Sequence, residues 1–508
     1  MLTCKHIYEL VGAPLRYWRF LVVAWSAPFF DNAPRFRVLP VIFAPMFILE
    51  IQDSAGRNAL SYVLLKSIID NSSLSLVVGV TDAIISCMSI AIKLDGRWNR
   101  FMSSVADRPS GAITGAVLYC LGAITLIISS YGKSRMLSLS VYVFGVFLIN
   151  RGINLLWNTC SVAFKDHGKR RIELFEAEDE EQVAICPAEN TRGDIDAKVM
   201  QLQVMCRFAA GSIGPLLATH VLFERTSYAY GVLVLIVAAL GAAMAIVVRR
   251  IDKDESPNQV TDIKVQVNWR MVLPFRLISG LPQPYDGHFN TPWFQSGLLI
   301  AFTEVVRGGF TRVLCLRALS MGLSQREIAL ALAVVGGTAV SSFWLSDIAD
   351  RNRRLAAVIS FTVLGLGHLG LSLSTSLNGV LFSSVLFGLG EGFSCGLRAL
   401  NASDCRHRDG PMGHLSRTFV SVSVSETDIE NNTDKKVEIE SKDAEIVRRQ
   451  VQSMTGIWLD IGGLFNSLAV GLVGGFFGMR VVSLLYAIVA MVAVYSSALA
   501  PDSKPTLC

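Results

Sequence analysis

Apolar stretches of about 20 residues alternate with short polar connectors along almost the whole chain. A bilayer's hydrocarbon core is about 30 Å thick and asks for about 20 apolar residues per helix, so each stretch reads as a membrane-crossing helix. The stretches fall at 39–66, 74–93, 112–130, 138–160, 201–222 and 230–250, and then at 291–316, 326–345, 355–374, 379–400, 451–472 and 479–500. Numbered as spans 1 to 12, they form two sets of six around a mixed polar linker, 251–290. The pattern predicts an all-α polytopic membrane protein: twelve transmembrane helices in two six-helix bundles, 39–250 and 291–500. Residues 1–38 read as a cytosolic segment and 501–508 as a cytosolic tail. The apolar run Trp18 to Phe30 is short and opens among Arg16 and Arg19; a crossing there would add a thirteenth span.

The connectors set the orientation. Those after odd-numbered spans are short and carry few basic residues, chiefly Lys133, Arg135 and Arg225. Those after even-numbered spans are longer and basic, with Lys165, Lys169, Arg170 and Arg171 after span 4 and Arg351, Arg353 and Arg354 after span 8. Basic loops stay on the cytosolic side, so both termini are expected in the cytosol of a plasma or vacuolar membrane protein. Two insertions, the acidic 172–196 and the Ser-, Asp-, Glu- and Lys-rich 404–447, have too little apolar content for a core and read as loosely structured cytosolic loops.

Composition agrees with the pattern. The 508 residues are 52% hydrophobic and only 17% charged, with a mean hydropathy of +0.46. A soluble chain carries about 25% charged residues, so a soluble enzyme, a secreted disulfide scaffold and a disordered chain are all excluded. A net charge of +5 is too mild to suggest a nucleic-acid partner. The ten cysteines show no metal-ligand spacing, and no P-loop, dinucleotide fingerprint or nucleophilic triad occurs. Neither a cofactor nor a metal is expected, and an ATP-driven pump or other enzyme is not. The expected partners are lipid, a small-molecule substrate and protons, for a protein acting as a monomer.

The two sets of spans repeat one another. Phe47-Ile48-Leu49-Glu50-Ile51-Gln52 aligns with Ala301-Phe302-Thr303-Glu304-Val305-Val306 at an offset of 254. Leu94 to Arg100 aligns with Ala349 to Arg354, and Gln203-Val204-Met205 with Gln452-Ser453-Met454, in the same order. Even the insertions sit at equivalent places, after spans 4 and 10. Repeated halves around a midplane site are a common plan of secondary transporters.

Charged side chains inside spans are the candidate site. An ionised group mid-membrane costs about 2.5–3.5 kcal/mol on insertion scales and so marks a partner or a wet cavity. Span 1 carries Glu50, Asp53 and Arg57, summing to roughly 8–10 kcal/mol if all faced lipid. Glu304 and Arg307, three residues apart in span 7, are placed to pair. A carboxyl taken out of water titrates nearer neutrality and can trade protons, which makes Glu50, Glu304 and Asp460 the proton-coupling candidates; a static ion pair is the competing reading. Arg151 and Arg207, with Glu391 and Asn154, are candidates for binding substrate or acting as counter-ions, although Arg207 lies near a span end and can instead snorkel. Asp82 and His368 read as structural. Trp458, Phe302 and Phe310 are candidate walls of an amphipathic cavity or simply packing.

At several places the residues resemble the major facilitator superfamily. Ser346-Asp347-Ile348-Ala349-Asp350-Arg351-Asn352-Arg353-Arg354 is similar to that family's charged loop, with Leu94 to Arg100 a looser copy. Ala210-Gly211-Ser212-Ile213-Gly214-Pro215 resembles the glycine–proline motif of its antiporter branches, and Gln201–Leu217 and Phe387–Leu400 are similar to drug-efflux-like fungal members. Serine at 346, arginine at 353 and alanine at 210 depart from the family pattern. The resemblance implies the family's fold and a cytosolic gate latched by Asp95, Arg97, Arg100, Asp350, Arg351 and Arg354. It also implies a kink at Gly214 and Pro215 that blocks leak. The function expected is proton-coupled export of a small amphipathic molecule by alternating access. Nutrient uptake on the same fold and a non-transporting sensor are the alternatives.

Overall fold

The computed structural model describes residues 65, 68–69, 73–94, 109–129, 131–132, 134–156, 207–217, parts of 236–243, 292–342, 353–404 and 456–499. Span 1 apart from Leu65, most of span 6, the segment 1–38, the linker 251–290, the insertions 172–196 and 405–447 and the tail 501–508 lie outside them.

The described residues are helical. Span 2 is α1 (Leu74–Leu94), span 3 is α2 (Pro109–Ser129), span 4 is α3 (Arg135–Leu156) and span 5 contributes α4 (207–217). The second half supplies α5 (Pro292–Ser320), α6 (Gln325–Ser342), α7 (Arg353–Leu373), α8 (Leu377–Asp404), α9 (Gly456–Phe477) and α10 (Met479–Leu499) for spans 7 to 12.

These helices are apolar on two faces, as a span between protein and lipid must be. On α2, Ala112, Ala116, Tyr119, Ala123 and Leu126 are buried, while Ile113, Val117, Leu121, Ile124 and Ile128 stand exposed between them. Leu76, Val80, Ile84 and Met88 make a matching exposed stripe on α1 at a spacing of four residues. Six of the described helices are long and apolar enough to cross a membrane. The helix α5 is not among those six, because it carries Glu304, Arg307, Arg312 and Arg317.

In the second half, α7 packs on α8 and α10, α6 on α8, and α5 on α10. Phe310 stacks flat on Phe387, centroids 3.7 Å apart, and His368 meets both rings and Tyr486 edge-on. Fully buried, His368 Nε2 donates to the Val306 carbonyl at 2.7 Å, which ties α7 to α5 and fixes the tautomer. The α5–α6 connection closes in a reciprocal cap: the Ser324 amide donates to Glu327 Oε2 at 2.7 Å, and the Glu327 amide donates to Ser324 Oγ at 3.4 Å.

Among the described residues, close backbone approaches join the two halves at α4–α6 and α1–α9. Gly336 of α6 sits against Phe208 and Ser212 of α4. At the other, α9 widens into a π-helical turn over Ala469–Val473, and Gly471 within it meets Gly79 of α1. A Cβ added at Gly79 would stand 2.2 Å from the Gly471 Cα, so only paired glycines allow this approach.

A charged cavity between the halves

Between the two halves lies a cavity of about 380 Å³, at the small end of the range of roughly 300–1,000 Å³ typical of ligand sites. It runs from beside the Gly79–Gly471 contact toward the far ends of α1, α3 and α9, where Ser89, Asn154 and Leu459 line it. Val78, Thr81, Asp82, Ile85 and Ser86 of α1 form one wall, and Tyr142, Val146, Asn150 and Arg151 of α3 the next. Arg207, Phe208, Gly211 and Pro215 come from α4. Across from them stand Glu304, Arg307, Gly308, Thr311 and Arg312 of α5, Leu332, Val335 and Gly336 of α6, Glu391 of α8, and Asp460 and Gly463 of α9.

Helical spacing explains why α5 dominates. Residues 304, 307, 308, 311 and 312 recur every three or four positions and so share one face, which carries an acid, two cations, a hydroxyl and a glycine. Among the described residues, eight charged side chains line the cavity: Arg151, Arg207, Arg307 and Arg312 against Asp82, Glu304, Glu391 and Asp460. With all eight ionised the formal charges cancel.

Four of them are joined in two ion pairs. The Arg307 Nε donates to Glu391 Oε1 at 2.5 Å, within the second half, and both side chains are nearly buried. Arg312 crosses between the halves: its Nε lies 3.3 Å from Asp82 Oδ2 on α1, and its Nη1 is 3.4 Å from Ser467 Oγ on α9. The expected pairing of Glu304 with Arg307 is therefore replaced. Glu391, facing α5 from α8, meets Arg307 directly, and the Glu304 carboxylate folds over Gly308 instead. A Cβ at Gly308 would come within 2.8 Å of Glu304 Oε1, so this glycine makes the room in which the carboxylate lies.

Two charges keep no hydrogen bond or ion pair to any described residue. Glu304 is one; Arg151 is the other, with its Nε buried and unbonded. Arg151 rests near the ring of Phe147, 5.4 Å from its centroid, and Asp460 on α9 attracts it through space without reaching hydrogen-bond distance. Arg207 and Asp460 are each engaged by a neighbour.

The sequence candidates Glu304, Asp460, Arg151, Arg207, Glu391, Asn154 and Pro215 thus converge on one cavity, and Gly214 lies beside Pro215 in α4. Glu50, Asp95, Arg97, Arg100, Asp350 and Arg351 lie outside the described residues, as does the side chain of Arg354, in the first turn of α7. The aromatic candidates do not line the cavity. Phe310 is locked in the α5–α8 stack, Trp458 is buried, and Phe302 packs against the core. Asp82, read as structural, and Arg312 are the site residues that sequence reasoning passed over. Their signal was the charge itself, since each lies inside a span.

The family model of the Major Facilitator Superfamily matches residues 196–423. Among solved structures, the chain is similar to a POT family transporter in complex with a thioalcohol-conjugated peptide, with 16% identity, a TM-score of 0.53, and coverage of 89% of this chain and 94% of that one. A POT family transporter in complex with 5-aminolevulinic acid compares at 15% identity, a TM-score of 0.53, and coverage of 89% and 94%. No curated protein sequence matches the chain.

Proposed function

We propose that the chain is a member of the Major Facilitator Superfamily, whose model matches residues 196–423, and that it is a secondary transporter that exports a small molecule in exchange for protons. The observation that carries this reading is the charged cavity between the halves, with Glu304 set in it and unpaired among the described residues. Repeat halves that rock about a midplane site expose it to each side in turn. On the orientation read from the basic loops, the Gly79–Gly471 contact lies on the outer side and the cavity extends toward the cytosol.

Glu304 is our candidate for the proton carrier. A carboxylate that holds either a proton or a cationic group of the substrate, but not both, couples their movements in opposite directions. The charged groups around it are Arg307 and Arg312 on α5, Glu391 on α8, Asp460 on α9, Arg151 on α3, Arg207 on α4 and Asp82 on α1. Arg307 is committed to Glu391 and Arg312 to Asp82, so neither ion pair needs to break for Glu304 to change state. An inward proton gradient then drives the substrate outward, in agreement with the Gly214–Pro215 motif of span 5. The polar lining favours a substrate whose bound portion is polar, and the aromatic walls expected for a drug-like amphipath are packed elsewhere.

The test uses cells lacking their own efflux pumps, a panel of fluorescent polar and amphipathic compounds, and a protonophore. The wild type should lower accumulation of at least one compound. A protonophore, Glu304→Gln or Arg151→Ala should each abolish that effect at unchanged surface expression. Raised accumulation would reverse the direction to uptake, and no change in any arm would overturn the transport reading.

A further inference from the structure

The charges left over in the cavity select its ligand. Of the eight charged lining groups, four are joined as Arg307–Glu391 and Arg312–Asp82, and Arg207 and Asp460 are engaged by neighbours. Among the described lining residues, what remains without a hydrogen bond or ion pair is one cation, Arg151 on α3 of the first half, and one anion, Glu304 on α5 of the second. Each lines the same small volume from a different half, and the eight charges among the described lining residues sum to zero.

A lining whose described charges cancel, with two separated poles that make no hydrogen bond or ion pair to a described residue, discriminates among ligand charges. An anion satisfies Arg151 but brings a second negative charge beside Glu304, and a cation does the converse beside Arg151. An uncharged molecule leaves both poles with only water. A molecule bearing one of each satisfies both and adds no net charge to a low-dielectric space, where an uncompensated charge is costly. The geometry points to a zwitterion, a small molecule with a carboxylate bound at Arg151 and an ammonium bound at Glu304. This substrate class rests on the transport reading above. It also gives that reading its competition, since the substrate's ammonium and the proton would occupy the same carboxylate.

The test measures ligand-induced thermal stabilisation of the purified full chain at neutral pH. The probes are glycine, 4-aminobutanoate, 6-aminohexanoate and the neutral α-amino acids, each with its N-acetyl and carboxamide derivatives. At least one zwitterion should stabilise the protein, and its two singly charged derivatives should need roughly ten- to a hundredfold more, the worth of one lost charge-assisted hydrogen bond. Arg151→Gln should weaken the zwitterion and the N-acetyl form while leaving the carboxamide unaffected. Glu304→Gln should do the reverse. Should either variant fail to fold, Arg151→Lys and Glu304→Asp keep the charges and should retain the zwitterion preference with weaker binding. Stabilisation by no zwitterion, or equal stabilisation by a singly charged derivative, overturns the proposal. The two readings fail separately. Proton-driven flux of a singly charged compound would sink the zwitterion and leave transport standing. A zwitterion that binds with this preference but never crosses a vesicle membrane would do the opposite.

Discussion

The placement of Glu304 depends on a neighbour with no side chain. Its carboxylate lies over Gly308, one turn further along α5, and a methyl group there would press on the Oε1 atom at 2.8 Å. The flexible end of a glutamate yields easily, and alanine is the better helix former by about 1 kcal/mol, so Gly308→Ala should leave the melting temperature unchanged or slightly raised. On the proposed exchange at Glu304, displacing the carboxylate should lower proton-driven flux about tenfold, equivalent to roughly 1.4 kcal/mol at the site. Thermal melts and vesicle flux on the same preparation check both halves of this prediction, and undiminished flux would show that the cradle does not matter. Glu304 and Arg151 were legible in the sequence, because an ion in an apolar span is conspicuous by its cost. Which charges pair was not. Arg307 has an acid three residues back, yet takes one from α8, and Arg312 takes one from α1; such choices depend on how helices distant in sequence face one another.

At the scale of elements, the contact between the halves rests on α1, α5 and α9. Gly79 and Gly471 bring α1 and α9 together at the π turn, and Arg312 holds both helices from α5 through Asp82 and Ser467. Removing the guanidinium in Arg312→Gln leaves Asp82 without its ion pair, a loss of about 1.5–3 kcal/mol for a hydrogen bond to a charged group. That is enough to shift a two-state equilibrium about tenfold or more. Spin labels at Leu76 and Phe476, both exposed at the adjoining ends of α1 and α9, should then show a larger fraction of long distances than in the wild type. Asp82→Asn should act the same way, and distributions identical to wild type in both variants would remove the pair from any gating role. The helices themselves were readable from hydropathy, with ends within a few residues of those observed for spans 2 and 3. The π turn was not, since nothing in Ala469–Val473 distinguishes it locally from an α-helix; it serves the approach of α1.

For the whole molecule, the repeat between the halves foreshadowed the site. Span 4 supplies Arg151 and its counterpart span 10 supplies Glu391, while spans 5 and 11 supply Arg207 and Asp460. Corresponding helices of the two halves thus present opposite charges to one cavity. The polar walls were harder to foresee. Aromatic residues along a span are equally suited to a cavity or a core, and here Phe310 and Trp458 serve the core. The central claim is that substrate and proton exchange at Glu304. The most direct measurement reconstitutes the full chain in vesicles loaded with a pH-sensitive dye and a zwitterion that stabilises it, then follows dye and zwitterion together after a pH step. The account predicts that protons enter as the zwitterion leaves, and that Glu304→Gln abolishes the proton movement and its coupling to the zwitterion. Zwitterion efflux at an undiminished rate in Glu304→Gln, or efflux from the wild type with no movement of protons, would contradict it.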